Sequence, residues 1–424
     1  LILTLFLVLF VLLLSSSPVF IALSFASLIS IYFFTTLPME VVAQRMYAGI
    51  DKFSLMAIPF FILAANVMQS GGLSSRILRL ANALVGHLRG GLAMAVVIAS
   101  LFFGAVSGSS PATVVAIGGL MLPALAKAGY VEKFSTGLIT STSAVAVIIP
   151  PSIGLIVYGS VTGTSVGDLF IAGFLPGILF GLIFILYSYY YAKKHEIKVN
   201  PKASTQELGA AFKDSLWALG IPVVIVVGIY GGIFTPTESA AVASIYAIFI
   251  ALFIYRDLDY KGLLKASIES GIGTAQIMIL LAAASVFAWV LTRYQVPQEL
   301  AVVMVSISES KIAILLMMNL IMLIAGMFID SASFTIILAP LFLPIAATFG
   351  IDPVHLGIIM ILNGAIGMFT PPFGLNLFVA AGIAKIPVTK VMYGVAPFIL
   401  LALIVLLLVT YIEGISLFLP EMMK

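Results

Sequence analysis

The stretch Ile148–Gly159, IIPPSIGLIVYG, and a second one, Met368–Gly382, MFTPPFGLNLFVAAG, decide how this chain reads. Each sets a diproline (Pro150 and Pro151; Pro371 and Pro372) and a glycine (Gly154; Gly374) inside a long apolar run. Proline removes a backbone donor and clashes with the preceding turn, so a transmembrane helix carrying two in a row is interrupted. The two diprolines lie 221 residues apart, and Pro123 with Pro344, Gly129 with Gly350 and Pro176 with Pro397 repeat at that offset. Breakers at equivalent places in two halves of an apolar chain point to a secondary transporter built from repeats, with its site at the broken helices.

The composition around these stretches is that of a polytopic membrane protein. Of the 424 residues 62% are hydrophobic and 9% charged, with mean hydropathy +1.23, whereas soluble domains are about a quarter charged. The surroundings are membrane lipid, with no nucleic-acid partner. There is no cysteine, which excludes disulfides and thiolate metal sites. The three histidines, His87, His195 and His355, lie near the ends of apolar runs. No GxxxxGK[ST] phosphate loop and no HExxH is present, and no histidine lies within a span to serve a buried serine, so no enzymatic activity is expected.

Apolar runs predict spans at 54–70, 136–162, 169–191, 215–232, 237–255, 268–292, 355–384 and 391–413. Residues 1–14 fall short of the ~20 needed to span, and SSSP (Ser15–Pro18) separates them from 19–35; one bent helix and an interfacial piece followed by a span both fit. Regions 90–127 and 311–349 each hold two short apolar segments around a polar tip, SGSSPAT (Ser107–Thr113) and DSASFT (Asp330–Thr335). These predict re-entrant hairpins. Of the 20 Lys and Arg, this threading leaves only Arg45, Lys52, Arg293, Lys311 and Lys424 on one face, so the other is the cytoplasmic side. The first hairpin then opens from the cytoplasm and the second from outside, making the halves inverted repeats. Loops 36–53, 231–237 and 293–298 fall outside.

A helix broken within a membrane leaves unpaired amides at one new end and unpaired carbonyls at the other. The first suits an anion; the second, with nearby hydroxyls, suits a small hard cation such as sodium. Four interruptions can converge here. Ser107, Ser109, Ser110 and Thr113 offer hydroxyls and Gly108 close backbone approach, facing Pro150, Ser152 and Gly154; Ser141, Thr142 and Ser143 precede that break. Asp330, Ser331 and Ser333 similarly face Thr370, Pro371, Gly374 and Asn376. The expected cation ligands are Ser107, Gly108, Ser109, Ser110, Pro150, Gly154, Asp330, Ser331, Thr370 and Gly374, and the expected substrate contacts Ser110, Thr113, Ser152, Ser333, Thr370 and Asn376.

Structural roles compete with these. Serines 107–110 also suit a helix start before Pro111, and Asp330 suits a cap as well as a ligand. Thr235, Pro236 and Glu238 read as a capping box. Asn66, Gln276, Asn319 and Asn363 read as interhelical hydrogen bonders, Gly173, Gly177 and Gly181 as a close helix contact, and Trp217 and Trp289 as interfacial residues.

The strings FFGAVSGSSPATVVAIG, IIPPSIGLIVYG, GGIFTPTESAAVA, GMFIDSASFTIILAPLFLPIA and GMFTPPFGLNLFVAAG, in this order, resemble the large membrane subunit of tripartite ATP-independent periplasmic (TRAP) transporters, most nearly the sialic acid systems. The resemblance implies an all-α polytopic protein of the bacterial inner membrane that imports a small carboxylate with Na+ by an elevator movement. It implies a transport domain of 88–165 and 310–390 and a scaffold of 1–87, 166–309 and 391–424. The implied partners are a separate small four-helix membrane subunit, expected because the sequence starts directly in an apolar run, and a soluble periplasmic substrate-binding protein. A stand-alone sodium-coupled divalent-anion carrier, or a channel or scaffold protein, are the alternatives.

Overall fold

The computed structural model describes residues 1–15 and 17–423; Ser16, within the SSSP break, and Lys424, expected on the outer face, lie outside the described residues. The described residues form helices and connecting turns, with no strand among them. The chain opens with α1 (Ile2–Leu14) and α2 (Val19–Phe34), which pack against each other and so are two helices, not one bent one. A short helix α3 (Glu40–Ile50) follows, then α4 (Ala57–Ser70), entered through a tight turn at Phe53–Met56, and an amphipathic α5 (Leu73–Val85). Neither α3 nor α5 was expected: the first fills the supposed loop 36–53, and the second is too polar on one face to read as a span.

The first hairpin is α6 (Gly91–Ser107) and α7 (Ser110–Lys127), and the first broken helix is α8 (Glu132–Thr142), a tight turn at 143–147, the diproline, and α9 (Ile153–Thr162). Then come α10 (Val166–Lys194), α11 (Thr205–Tyr230), α12 (Pro236–Phe249), whose last turn widens over Ile250–Ile254, and α13 (Tyr260–Arg293). A short α14 (Val296–Ile307), again unexpected, leads to the second hairpin, α15 (Lys311–Gly326) and α16 (Ser331–Thr348). The second broken helix is α17 (Pro353–Gly367) and α18 (Leu375–Ala384), followed by α19 (Val388–Tyr411) and a terminal α20 (Gly414–Met422).

The repeat noticed in the sequence is a repeat of elements. The returning arms α7 and α16 both have 18 residues, and the distal half-helices α9 and α18 both have 10. Pro123 and Pro344 lie inside the two arms, and Pro176 and Pro397 inside α10 and α19. Gly129 and Gly350 both take positive φ, +90° and +63°, just past the hairpins, where a side chain would be strained. Both diprolines are cis. Five crossings separate the hairpins (the first broken helix, α10, α11, α12 and α13). An odd number makes the second hairpin enter from the opposite side, so the halves are inverted.

Each tip abuts the break of its own half. A Cβ on Gly108, at the first tip, would lie 3.0 Å from the Pro151 carbonyl oxygen, and one on Gly367, beside the second break, 2.4 Å from the Gly326 carbonyl carbon. The centre is packed around α17, whose residues His355 through Gly367 are all buried, the mark of a core helix. The glycine stripe of α10 is a close contact as expected, with Gly173 against the Ile148 carbonyl and Gly177 against the Ile149 side chain. That stripe seats α10 on the first break, while α19 packs on α8 through Gly394 against Gly137. α10 and α19 therefore lie with the hairpins and broken helices, and α2, α3, α4 and α13 pack among themselves on the other side.

Candidate functional site

Each half-helix beginning at the centre is built by its local sequence. Ser109 has extended backbone and starts α7, with Pro111 in the first turn. Its side chain makes no capping bond; instead Thr113 Oγ1 donates to the Ser109 carbonyl (2.8 Å) and lies 3.2 Å from Ser107 Oγ. Asp330 is the repeat counterpart of Ser109 and does cap, accepting from the Ala332 and Ser333 amides at 3.0 and 3.1 Å and from the Ser333 hydroxyl. The structural role weighed for Asp330 is thus filled. Ser152 caps α9, accepting from the Leu155 amide (3.3 Å) and donating to the Val147 carbonyl (2.5 Å). Thr370 Oγ1 donates to the Ile366 carbonyl (2.6 Å). Gly374 starts α18, where a Cβ would lie 2.7 Å from the Met368 carbonyl oxygen.

The halves interlock in a crossed fashion. Asn376, expected beside the second tip, reaches the first: its Nδ2 donates to Ser110 Oγ (2.7 Å) and to the Thr140 carbonyl (3.2 Å). In the reciprocal contact, Gly154 of the first break faces Ser331 of the second tip, a Cβ there lying 3.3 Å from Ser331 Oγ. Ser110 and Ser331 are themselves repeat partners, 221 residues apart. Pro150 and Pro371 hold the breaks open by lacking amide donors.

Three buried oxygens at these crossings have no hydrogen-bond partner: Ser141 Oγ, Ser331 Oγ and Asn376 Oδ1. A buried polar atom left unpaired costs about 1–3 kcal/mol, so such oxygens suit a hard cation. No cluster of three or more His, Cys, Asp or Glu occurs among the described residues; the available donors are hydroxyl, amide and backbone oxygens, which fit an alkali ion. Behind the second tip, the Asn363 Nδ2 donates to Asn319 Oδ1 (2.7 Å) and the Asn319 Nδ2 to Thr410 Oγ1 (3.0 Å), interhelical roles as expected. Asn66 likewise donates to Ser270 Oγ (2.8 Å).

Two features escaped the sequence reading. Thr140 contributes a backbone carbonyl, for which no side chain gives a signal. Gln69 lines a cavity of about 240 Å³ between the first tip and α4 and α13, together with Asn66, Ser107, Ser109 and Gln276. The spacing of Ile62, Ala65, Asn66 and Gln69 on one helical face was the signal available for it.

Residues 6–415 match the model of the tripartite ATP-independent periplasmic transporter, DctM component. The chain is similar to the C4-dicarboxylate TRAP transporter large permease protein DctM of Pseudomonas aeruginosa, at 42% identity over 94% of each chain. It is also similar to the sialic acid TRAP transporter large permease protein SiaM of Vibrio cholerae, at 38% identity over 97% of this chain and 96% of that one. Among solved structures, the Alcanivorax borkumensis YdaH transporter shares the fold, with TM-score 0.61 at 16% identity over 89% of this chain and 88% of that one. Interlocked hairpins and broken helices in a multi-pass membrane protein, matched along nearly the whole sequence, leave one assignment: this chain belongs to the DctM family, the large permease component of TRAP transporters.

Proposed function

We propose that this chain is the membrane-embedded permease of a sodium-driven importer of a small carboxylate, of the sialic acid or C4-dicarboxylate kind, in the bacterial inner membrane. The observation that carries the reading is the set of unpaired buried oxygens on Ser141, Ser331 and Asn376, where hairpin tips and broken helices cross. Sodium is held there by hydroxyl, amide and carbonyl oxygens, and the anion is drawn to half-helix N-termini and to the bound cations. No lysine or arginine lies in either tip or break, so each ligand neutralises the other and their binding is reciprocal.

The movement is an elevator in which the hairpins and broken helices slide against α2, α3, α4 and α13. α10 and α19 travel with the mobile body, because both are seated on it by glycine contacts. A separate small membrane subunit and a soluble periplasmic binding protein complete the system.

The test is uptake of labelled sialic acid and of succinate into liposomes holding this chain and its small subunit. It is run with and without a sodium gradient and with and without the binding protein. Uptake requiring both supports the reading; uptake without the binding protein establishes the stand-alone carrier instead, and uptake indifferent to sodium defeats the coupling.

A further inference from the structure

The cavity beside the first tip has two walls of different character. One wall is the hairpin and the first break: Ser107, Ser109 and Ala112, with Ile153 at the start of α9. The other belongs to α4 and α13 and carries three amides, Asn66, Gln69 and Gln276. Gln276 sits at the middle of α13, a helix of 34 residues, where an amide turned to hydrocarbon would cost about 2–7 kcal/mol. Gln69 and Gln276 are both exposed at this cavity rather than packed away. Asn66 is hydrogen-bonded to Ser270, and α4 packs along α13, so the two helices hold the amides in a fixed register. No charged side chain lines the space.

We propose that Asn66, Gln69 and Gln276 form the stationary wall of the substrate site. They read the uncharged polar groups of a small organic anion whose carboxylate faces the first hairpin tip. An amide presents both donors and an acceptor, so it matches hydroxyl, carbonyl and amide groups and discriminates against analogues lacking them. Because this wall stays put while the tip moves, its contacts exist in only one position of the hairpin and set affinity there. The inference rests on the carboxylate-importer reading and assigns its specificity to residues outside the broken-helix centre.

The test uses the complete transporter in liposomes, with succinate and sialic acid as probes. Gln276→Leu and Gln69→Leu are expected to raise KM for the transported probe on the order of tenfold, with the sodium concentration for half-maximal uptake unchanged. Since the chain has no cysteine, Gln276→Cys supplies a single thiol. It should react with a water-soluble maleimide, more slowly when probe and sodium are present, whereas Lys198→Cys, exposed in the loop between α10 and α11, should react at a rate indifferent to the probe. Unchanged KM in both leucine variants, an unreactive thiol at 276, or a reactive one that the probe does not protect overturns the proposal. Failure of the wild type to take up either probe defeats the carboxylate reading itself, and this inference with it.

Discussion

Ser110 and Asn376 stand 266 positions apart and meet at 2.7 Å, and that contact shows what single side chains do at the centre. Removing the hydroxyl with Ser110→Ala leaves the Asn376 amide one acceptor, the Thr140 carbonyl. We expect the sodium concentration for half-maximal uptake to rise about tenfold, the worth of one hydrogen bond to an ordered ligand; Asp330→Asn should act in the same direction. Sodium-dependent uptake in proteoliposomes checks both, and unchanged sodium dependence in the two variants removes these residues from the ion sites. Gly367→Ala addresses packing instead. Its Cβ would sit 2.4 Å from the Gly326 backbone, so overpacking should cost about 1–3 kcal/mol, read as a lower melting temperature in detergent. Ser110 and Ser331 stood out in the sequence because they lie in polar tips between apolar runs, and Gly374 because it follows a diproline within one. Which oxygens remain unpaired did not, since that depends on neighbours brought from the other half.

At the scale of elements, the diprolines announced the breaks and the polar tips announced the hairpins, because both oppose a continuous membrane helix. α3, α5, α14 and α20 were not legible: they are short, and two carry polar faces that read as loop. α5 uses its polar face to place Arg76 3.3 Å from Asp214 and 2.5 Å from Asp257, fastening α11 and the 255–259 turn. The capping box before α12 is formed as its sequence predicts, Thr235 and Glu238 bonding each other's backbone amides at 3.3 and 2.8 Å. Thr235→Ala should therefore cost about 1 kcal/mol, measurable by chemical denaturation in detergent. Between α15 and α20, the Lys311 ammonium lies 2.6 Å from Glu413 and holds its carboxyl below the ordinary 4.5. A lowered carboxylate pKa stabilises the fold above its unfolded value and loses that contribution as pH falls through the folded one. The pair's contribution to the melting temperature should therefore stay constant with pH near neutrality and decline only below about 4.5. As the pair is partly exposed, Glu413→Gln should cost less than about 1 kcal/mol at neutral pH.

Across the whole molecule, the two packed bodies touch at few polar points, and one is well placed for a decisive measurement. On the face opposite the cytoplasmic one in our threading, Lys52 donates to the Ser160 carbonyl near the end of α9, and Ser54 Oγ lies 2.9 Å from Ser160 Oγ. These contacts bridge the turn before α4 to a half-helix of the proposed mobile body, so an elevator movement must break them. In the cysteine-free chain, Ser54→Cys with Ser160→Cys should form a disulfide under oxidation, since the side-chain oxygens are already adjacent. Oxidation should stop sodium-driven uptake and a reductant should restore it. Full activity with the disulfide closed would mean that α9 does not move against α4.

Apolar composition, the diprolines and the 221-residue offset were enough to establish the membrane character, the places where helices break and the two-fold repetition. Each of these follows from local chemistry: proline geometry, apolar run length and charge. Only the folded arrangement shows that the first tip meets the second break and the second tip the first, that α10 and α19 pack on the hairpin body, and that α4 and α13 supply amides to the cavity. In a membrane chain nearly every face is apolar, so hydrophobic periodicity does not say which helix lies beside which; only glycine-to-backbone contacts and scattered polar pairs, formed between distant segments, select the arrangement.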